Sequence, residues 1–323
     1  MSSDPFLIIN PNSKSGKTGK KVKKYLKIIN EYMGDIEYEF TTKPREEALI
    51  AKRVVKEGYK TILSLGGDGT ATNIGDVLVK HPDTKLGYLS AGSMNDWGRT
   101  HSIPTKFEDC LAVIIEGYSE RFPGMKCIGD REYYAFDHVN GGFVAEAGAA
   151  ALTEAKWIKN GFLKYAYLAL KYVIKFKNTP VTMTIDEKEP LVIDDLSASV
   201  FAFSESIAGF NMLPGNAHFS RRNKDIGIVI ARGLKGRRRI GLVLKTSSGK
   251  HTQMEGVWFS RGRKIEVESK RSLAWEAEGE VFNEKGLKIS VEYIEDALNL
   301  IVPKKREYNE DADEKLYMSS YPV

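Results

Sequence analysis

The chain has 323 residues, 42% hydrophobic and 28% charged, with a net charge of +5, the make-up of a soluble globular protein of about two domains with a sizeable core. Its two cysteines, Cys110 and Cys127, exclude a disulfide framework and fit a reducing cytoplasm, and its five scattered histidines offer no metal-ligand cluster. Met1–Pro5 carries no apolar h-region, so no signal peptide is expected, and no uninterrupted apolar run approaches a membrane span.

In chain order the first part alternates strand and helix. Phe6–Asn10 reads as a short strand. Lys17–Met33 reads as a Lys-rich helix with Val22, Leu26 and Ile29 on one face. Glu46–Glu57 follows as a helix carrying Ala48, Ala51, Val54 and Val55, then Thr61–Leu65 as a strand. Leu86–Ser90 is another strand, and Glu108–Gly117 another helix with Leu111, Ile114 and Ile115. This rhythm predicts a parallel sheet covered by helices, with ligands at the carboxyl ends of its strands. Asn10, Gly66–Thr70 and Ala91–Asp96 all follow such strands, so they could converge.

Texture then changes. After an amphipathic stretch around Leu152–Ile174, apolar residues recur with period 2: Val181, Met183 and Ile185; Ile226, Ile228 and Ile230; Ile265 and Val267. That pattern predicts antiparallel strands in a sandwich. Gly129-Asp130-Arg131-Glu132 marks a boundary near residue 130. The expected organisation is an α/β domain over 1–130 and a β-sandwich domain over 131–303, whose last strand is able to return to the first domain. From Lys304 the chain is charged and aperiodic, which reads as a flexible tail over 304–323.

Gly66-Gly67-Asp68-Gly69-Thr70 is the most informative segment. Apolar Ile74, Val77 and Leu78 come after it at helical spacing, so it joins a strand to a helix. Strand, glycine turn and helix bring bare backbone N–H groups to a phosphate chain, and glycine permits both close approach and φ > 0. A lone carboxylate there makes sense as a Mg²⁺ partner or a base acting on an attacking hydroxyl; the plainer role is an N-cap. Pro11-Asn12-Ser13-Lys14-Ser15-Gly16-Lys17-Thr18 imitates a Walker A loop, but proline replaces the first glycine and removes an N–H the loop would use. It reads instead as a Ser/Gly-rich turn. From His218 to Lys250 ten basic residues face one acidic one, a local excess of +9 that suits an anionic surface.

Together these segments resemble the catalytic family of diacylglycerol kinases, which includes bacterial lipid kinases and sphingosine kinases. The resemblance runs through Asn10-Pro11, Gly66–Thr70 and Ala91-Gly92-Ser93-Met94-Asn95-Asp96-Trp97-Gly98-Arg99. It continues through Asn140–Phe143, Gly161–Tyr167, Pro214 with Ala217, Gly249-Lys250-His251 and Glu278-Gly279-Glu280, to about Pro303. It implies an NAD-kinase/phosphofructokinase-like α/β domain, a β-sandwich domain and an active site in the cleft between them. It implies an ATP- and Mg²⁺-dependent kinase acting on a hydroxyl of diacylglycerol or a related lipid. By position, Asn10, Thr42, Gly66, Gly67, Asp68, Gly69, Thr70, Asn73, Ser93 and Asn95 match the nucleotide-binding residues, and Glu280, Asp68 and Asp96 the catalytic ones. Plainer roles are caps for Thr42 and Asn95-Asp96 and a strand-turn residue for Glu280. Glu278-Gly279-Glu280 reads as an extended stretch whose glycine lets the strand turn toward the cleft.

Two departures from the family pattern stand out. Asn73 replaces a glutamate, and Ser220-Arg221-Arg222 replaces an Asp-Asp-Gly that contributes to a structural Mg²⁺ site, so that site reads as lost at Arg221, whose guanidinium could pair with a carboxylate in the same space. Asp68 remains able to meet Mg²⁺ through the nucleotide. The expected partners are a lipid substrate at a membrane surface and anionic phospholipid along Arg221–Arg239; no specific nucleic acid is expected and a homodimer is left open. The expected location is the cytoplasm, peripherally on a membrane. Two other readings are an NAD-kinase-like small-molecule kinase and a non-catalytic nucleotide- or lipid-binding relative.

Overall fold

A computed structural model describes residues 5–158 and 160–305. They form two compact units: the residues up to Gly124 with those from Glu295 onward, and Met125–Ile294.

The first unit runs β1 (Phe6–Ile9), α1 (Lys17–Met33), β2 (Glu37–Phe40), α2 (Glu46–Lys56), β3 (Thr61–Gly66), α3 (Asp68–Leu78), β4 (Lys85–Ser90), α4 (Asp96–Thr100) and α5 (Phe107–Glu116) into β5 (Ser119–Ile128). The strands pair in parallel in the order β4-β3-β1-β2, with Phe6 opposite Ile62 and Ile62 opposite Leu86. Leu7, Ile8, Ile9, Ile62, Leu63, Leu86 and Leu89 are fully buried, as strands covered on both faces require. Only β2 lacks an apolar run. It is an edge strand, Glu-Tyr-Glu-Phe, largely exposed, so periodicity gave it no signal.

The second unit continues through β6 (Glu132–Ala135), β7 (His138–Gly142), α6 (Phe143–Thr153), α7 (Gly161–Lys175), β8 (Thr179–Ile185), β9 (Leu191–Ala202), β10 (Ser206–Ile207), β11 (Phe210–Asn211), α8 (Asn216–Asn223), β12 (Ile226–Arg232), α9 (Arg237–Thr246) and a 3₁₀ turn at Lys250–Gln253. It closes with β13 (Val257–Gly262), β14 (Lys264–Ser269), β15 (Trp275–Ala277), β16 (Glu280–Asn283) and β17 (Lys288–Ile301). The pairings are antiparallel, as expected of a sandwich. The first half of β9 pairs with β8, and its second half lies between β7 and β12. The predicted alternation appears in β8, where Val181, Met183 and Ile185 are buried. In β12 it does not: Ile226 through Ala231 are all buried, because β12 is covered on both faces.

Three boundaries differ from the sequence reading. Gly129–Arg131 is the turn between β5 and β6, where the Asp130 carboxylate accepts the N–H groups of Glu284 and Lys285 at 2.7 and 2.8 Å, so it lies inside the second unit. The chain leaves the first unit within β5, after Gly124, and re-enters it within β17, whose Asn299 and Leu300 pair in parallel with Lys85 and Leu86 of β4. The stretch around Leu152–Ile174 divides into α6 and α7, because Asn160 starts a new helix by accepting the Leu163 N–H at 3.0 Å. The charged tail falls, beyond Lys305, outside the described residues.

Candidate active site

In the first unit the three predicted loops meet at the carboxyl ends of β1, β3 and β4. The Asn10 side chain accepts the Asn12 N–H at 3.0 Å and donates to Thr70 Oγ1 at 3.1 Å, tying the first loop to the second. Ser13 donates to Thr18 Oγ1 at 2.7 Å, and Thr18 donates to the Ala91 carbonyl at 3.0 Å, tying the first to the third. The second and third meet backbone to backbone. A Cβ on Gly92 would lie 2.7 Å from the Gly67 Cα, and one on Gly67 would lie 3.2 Å from the Gly92 Cα. Close approach, not φ > 0, is the reason for glycine here: Gly66, Gly67 and Gly69 are all outside the left-handed region. Gly67 caps α3, so Asp68, Gly69 and Thr70 form its first turn instead of a loop. Outside its own helix nothing lies within 4 Å of a Cβ built on Gly69, which leaves the first turn of an 11-residue helix open on that side, at its positive end.

Asp68 is the centre of this arrangement. Its carboxylate accepts the Tyr88 hydroxyl at 3.0 Å, the Asp96 N–H at 3.2 Å and the Trp97 N–H at 3.3 Å. It therefore caps α4 from α3. Burial and the Asp68 charge raise the Tyr88 pKa well above its ordinary value, so the phenol stays a donor. Asp96 is buried and ion-paired with Arg99. Asn95, at φ 55°, turns the chain into α4 with its Oδ1 buried, and Ser93 is exposed on the rim.

Two nucleotide candidates are engaged elsewhere. Asn73 is buried and donates to the buried Glu47 carboxylate at 2.9 Å, inside the packing of α2 on α3. Thr42 is exposed and gives both its N–H and its hydroxyl to Glu46, at 2.6 and 2.8 Å. Those bonds hold the Glu46 pKa below the usual carboxylate range.

In the second unit, Glu280 opens β16 with a side chain 16% exposed, 3.6 Å from the Arg131 guanidinium. The expected extended geometry is absent. Glu278 and Gly279, at φ 53° and 90°, are the two central residues of the β15–β16 hairpin, with Ala277 paired to Glu280. Glu278 does not face away as an idle surface residue; its carboxylate accepts the N–H groups of Phe136 and Asp137 at 2.5 and 2.8 Å. Glu276 accepts the Gly279 N–H at 2.6 Å and an Asn140 N–H. Two carboxylates thus hold the turn that presents Glu280.

Behind the turn lies a cluster that motif reading missed. Asp137 and Glu276 are each 1% exposed, and His138 Nδ1 is 3.1 Å from Asp137. Burial opposes charging of His138, but the Asp137 hydrogen bond and the charges of Asp137, Glu276 and Glu278 prevail and raise its pKa to about 10. Burial raises the Glu276 pKa, against the pull of His138. The available signal was Asp137-His138-Val139-Asn140: three polar residues entering a buried strand. His251 is also buried; its Nε2 lies 2.9 Å from the Met212 carbonyl, and burial lowers its pKa.

At the Ser220-Arg221-Arg222 departure, an arginine from β13, Arg261, pairs with a carboxylate. Its guanidinium donates to Asp225 at 2.6 Å, Asn216 at 2.8 Å and Ser220 at 2.9 Å. A cation thus already lies among those oxygens. Among the described residues no group of three or more His, Cys, Asp or Glu gathers to hold a metal.

Residues 4–127 match the family model described as "Diacylglycerol kinase catalytic domain", and residues 138–302 match "YegS C-terminal NAD kinase beta sandwich-like domain". A diacylglycerol kinase of Staphylococcus aureus (strain bovine RF122 / ET3-1) is 28% identical over 247 residues, covering 74% of each chain. The crystal structure of a diacylglycerol kinase from Bacillus anthracis str. Sterne shares the fold at a TM-score of 0.65 and 12% identity, over 94% of this chain and 99% of that one. Yeast NADH kinase complexed with NADH shares it more distantly, at a TM-score of 0.51 and 8% identity, over 93% of this chain and 84% of that one. With its glycine turn capped through Asp68, its Asn95-Asp96 helix start and its hairpin ending in Glu280, the chain belongs to the diacylglycerol kinase catalytic family, in the form that carries a YegS-type β-sandwich domain.

Proposed function

We propose that this protein transfers the γ-phosphoryl group of ATP to a hydroxyl of diacylglycerol or a related lipid. The observation that carries the reading is the α3 N-terminus, open at Gly69, held in place by Asp68 and tied to both neighbouring loops. Phosphoryl transfer needs positioning and charge neutralisation more than covalent help from the protein. In the step, the lipid oxygen forms a bond to the γ-phosphorus as the bond to the bridging oxygen breaks. ADP leaves, and the hydroxyl proton passes to the Glu280 carboxylate. Arg131 beside Glu280 and the hairpin anchored by Glu276 and Glu278 keep that carboxylate in place.

Mg²⁺ bound with ATP keeps most of its coordination from phosphates and water and asks for only one or two protein carboxylates. Asp68 fits that modest demand as the carboxylate at the meeting of the loops, held there by Tyr88, Asp96 and Trp97. Its main work is then to hold the loops that meet the phosphates, and the metal would neutralise charge on the transferring group. No helix among the described residues is long and apolar enough to cross a membrane, so the acceptor would be met at a bilayer surface. The test is transfer of radiolabel from ATP over a panel of diacylglycerol, other lipid alcohols and NAD, with and without Mg²⁺. Label in a lipid supports the reading; label in NAD alone places the protein with the NAD kinases, and label in neither makes it a binding protein.

A further inference from the structure

Two segments of the second unit are strongly basic, and one of them carries a stripe of exposed apolar side chains. In Arg221–Arg239, which composition favours for membrane contact, Arg239 is drawn into the fold and Arg232 is half-buried, while the other six basic residues are exposed. Arg239 is buried and donates to the carbonyls of Val173 and Phe176 at 2.7 Å; Arg238 lies 2.9 Å from Glu255; Arg232 sits over the Trp258 ring at 4.6 Å. No large apolar side chain in that segment is exposed.

The other segment is Ala155–Ile185, which holds six lysines and no aspartate or glutamate. Leu163, Tyr167 and Ile174 of α7 are 58%, 44% and 70% exposed, and spacings of four and seven residues put them on one stripe. Trp157, 73% exposed, extends the stripe through a ring contact with Tyr167 at 5.8 Å. Lys156, Lys175 and Lys177 are exposed nearby, and the adjacent acid, Glu154, is taken up by Lys171 and Tyr172. Exposed apolar side chains on one helical stripe mark a binding surface. Tryptophan and tyrosine among lysines suit the headgroup level of an anionic bilayer, where the rings enter the acyl boundary and the ammonium groups meet phosphates.

We propose that this face of α7, with Trp157, is the surface by which the protein lies on an anionic phospholipid bilayer. The idea deepens the lipid-kinase reading and takes its biological sense from it, but its test uses neither nucleotide nor diacylglycerol, so the two fail separately. The full chain is mixed with vesicles of phosphatidylglycerol and phosphatidylcholine, or of phosphatidylcholine alone, and partitioning is followed by flotation and tryptophan fluorescence. Trp97 and Trp275 are buried and Trp258 is half-buried beneath Arg232, so a blue shift that disappears in Trp157→Phe while binding persists assigns the insertion to Trp157 and not to Trp258. Binding should favour the anionic vesicles and weaken about tenfold or more when salt rises from about 0.1 to about 0.5 M. Trp157→Ser with Ile174→Ser should weaken it about tenfold or more, and so should Lys156→Gln with Lys175→Gln and Lys177→Gln, all at exposed positions where an unchanged thermal midpoint confirms folding. Binding that survives both sets but falls in Arg221→Gln with Arg222→Gln overturns the proposal. Equal binding to neutral vesicles, no binding to either, or a concentration-dependent dimer abolished by the serine variants would overturn it too, the last making the face a contact between copies of this chain.

Discussion

The two units hold their candidate carboxylates in opposite ways. Asp68 is in the first turn of α3, and its partners Tyr88, Asp96 and Trp97 all lie within 30 residues of it, on the next strand and the next helix start. Glu280 depends on a hairpin whose anchors, Phe136, Asp137 and Asn140, lie more than 130 residues away in sequence. A parallel α/β unit places successive loops side by side at the strand ends, so a short motif can carry a whole half-site. An antiparallel sandwich brings distant strands together, and its carboxylate must be held by groups no local motif contains.

If that contrast is right, the largest loss should come from the end of the distant hairpin. Glu280→Gln is expected to lower kcat by roughly 10² to 10⁴ while leaving the KM for ATP nearly unchanged, since the group acts on the acceptor. Steady-state kinetics decide; a raised KM with kcat retained would make Glu280 a binding residue. Glu278→Gln should lower kcat less, and through the turn: one amide oxygen replaces a carboxylate at two N–H groups, so loss of thermal stability should accompany it.

Asp68→Asn should reduce kcat by about 10² or more with the fold intact, because the neutral amide cannot serve two N–H groups and a phenol as an anion does. Tyr88→Phe removes one of those three contacts and sharpens the test. If it matches Asp68→Asn in kcat, positioning accounts for the whole effect; if it is much milder, the charge of Asp68 acts on the nucleotide or its metal.

The buried cluster behind Glu280 makes the contrast visible as pH dependence. The folded-state pKa of His138, about 10, is raised above its ordinary 6.5. Its stabilising contribution is therefore full below about pH 6.5 and lost as pH rises through about 10. The difference in thermal midpoint between the wild type and His138→Gln, followed by calorimetry from pH 6 to 10, should shrink across that window. A difference that stays constant would mean that His138 is not charged in the fold.

The smallest effect is expected at Thr42, whose polar groups close their own turn on Glu46. Thr42→Ala should move the thermal midpoint by only a few degrees and leave the KM for ATP within about twofold. A several-fold rise in that KM would restore Thr42 to the nucleotide site.

The α/β rhythm, the glycine turn and the period-2 strands were legible in the sequence because each depends on neighbours a few residues apart. Helical and strand periods, the glycines where Gly67 and Gly92 meet, and the order of the three loops are all local properties. Helix α1 came out at Lys17–Met33 for that reason, and β2 was missed because a solvated edge strand needs no apolar pattern. Long-range packing decided the rest. It placed Asn73 against Glu47 in the α2–α3 interface and brought Arg261 from β13 to Asp225. It put Glu278 at φ 53° in a turn, since a hairpin's register depends on which strands pair and not on the spacing of its own residues. It also decided which basic segment carries exposed apolar side chains beside its charges. Composition counts the charges of Arg221–Arg239 and Ala155–Ile185 alike, but only folding draws Arg239 onto backbone carbonyls and leaves Trp157 and Ile174 at the surface.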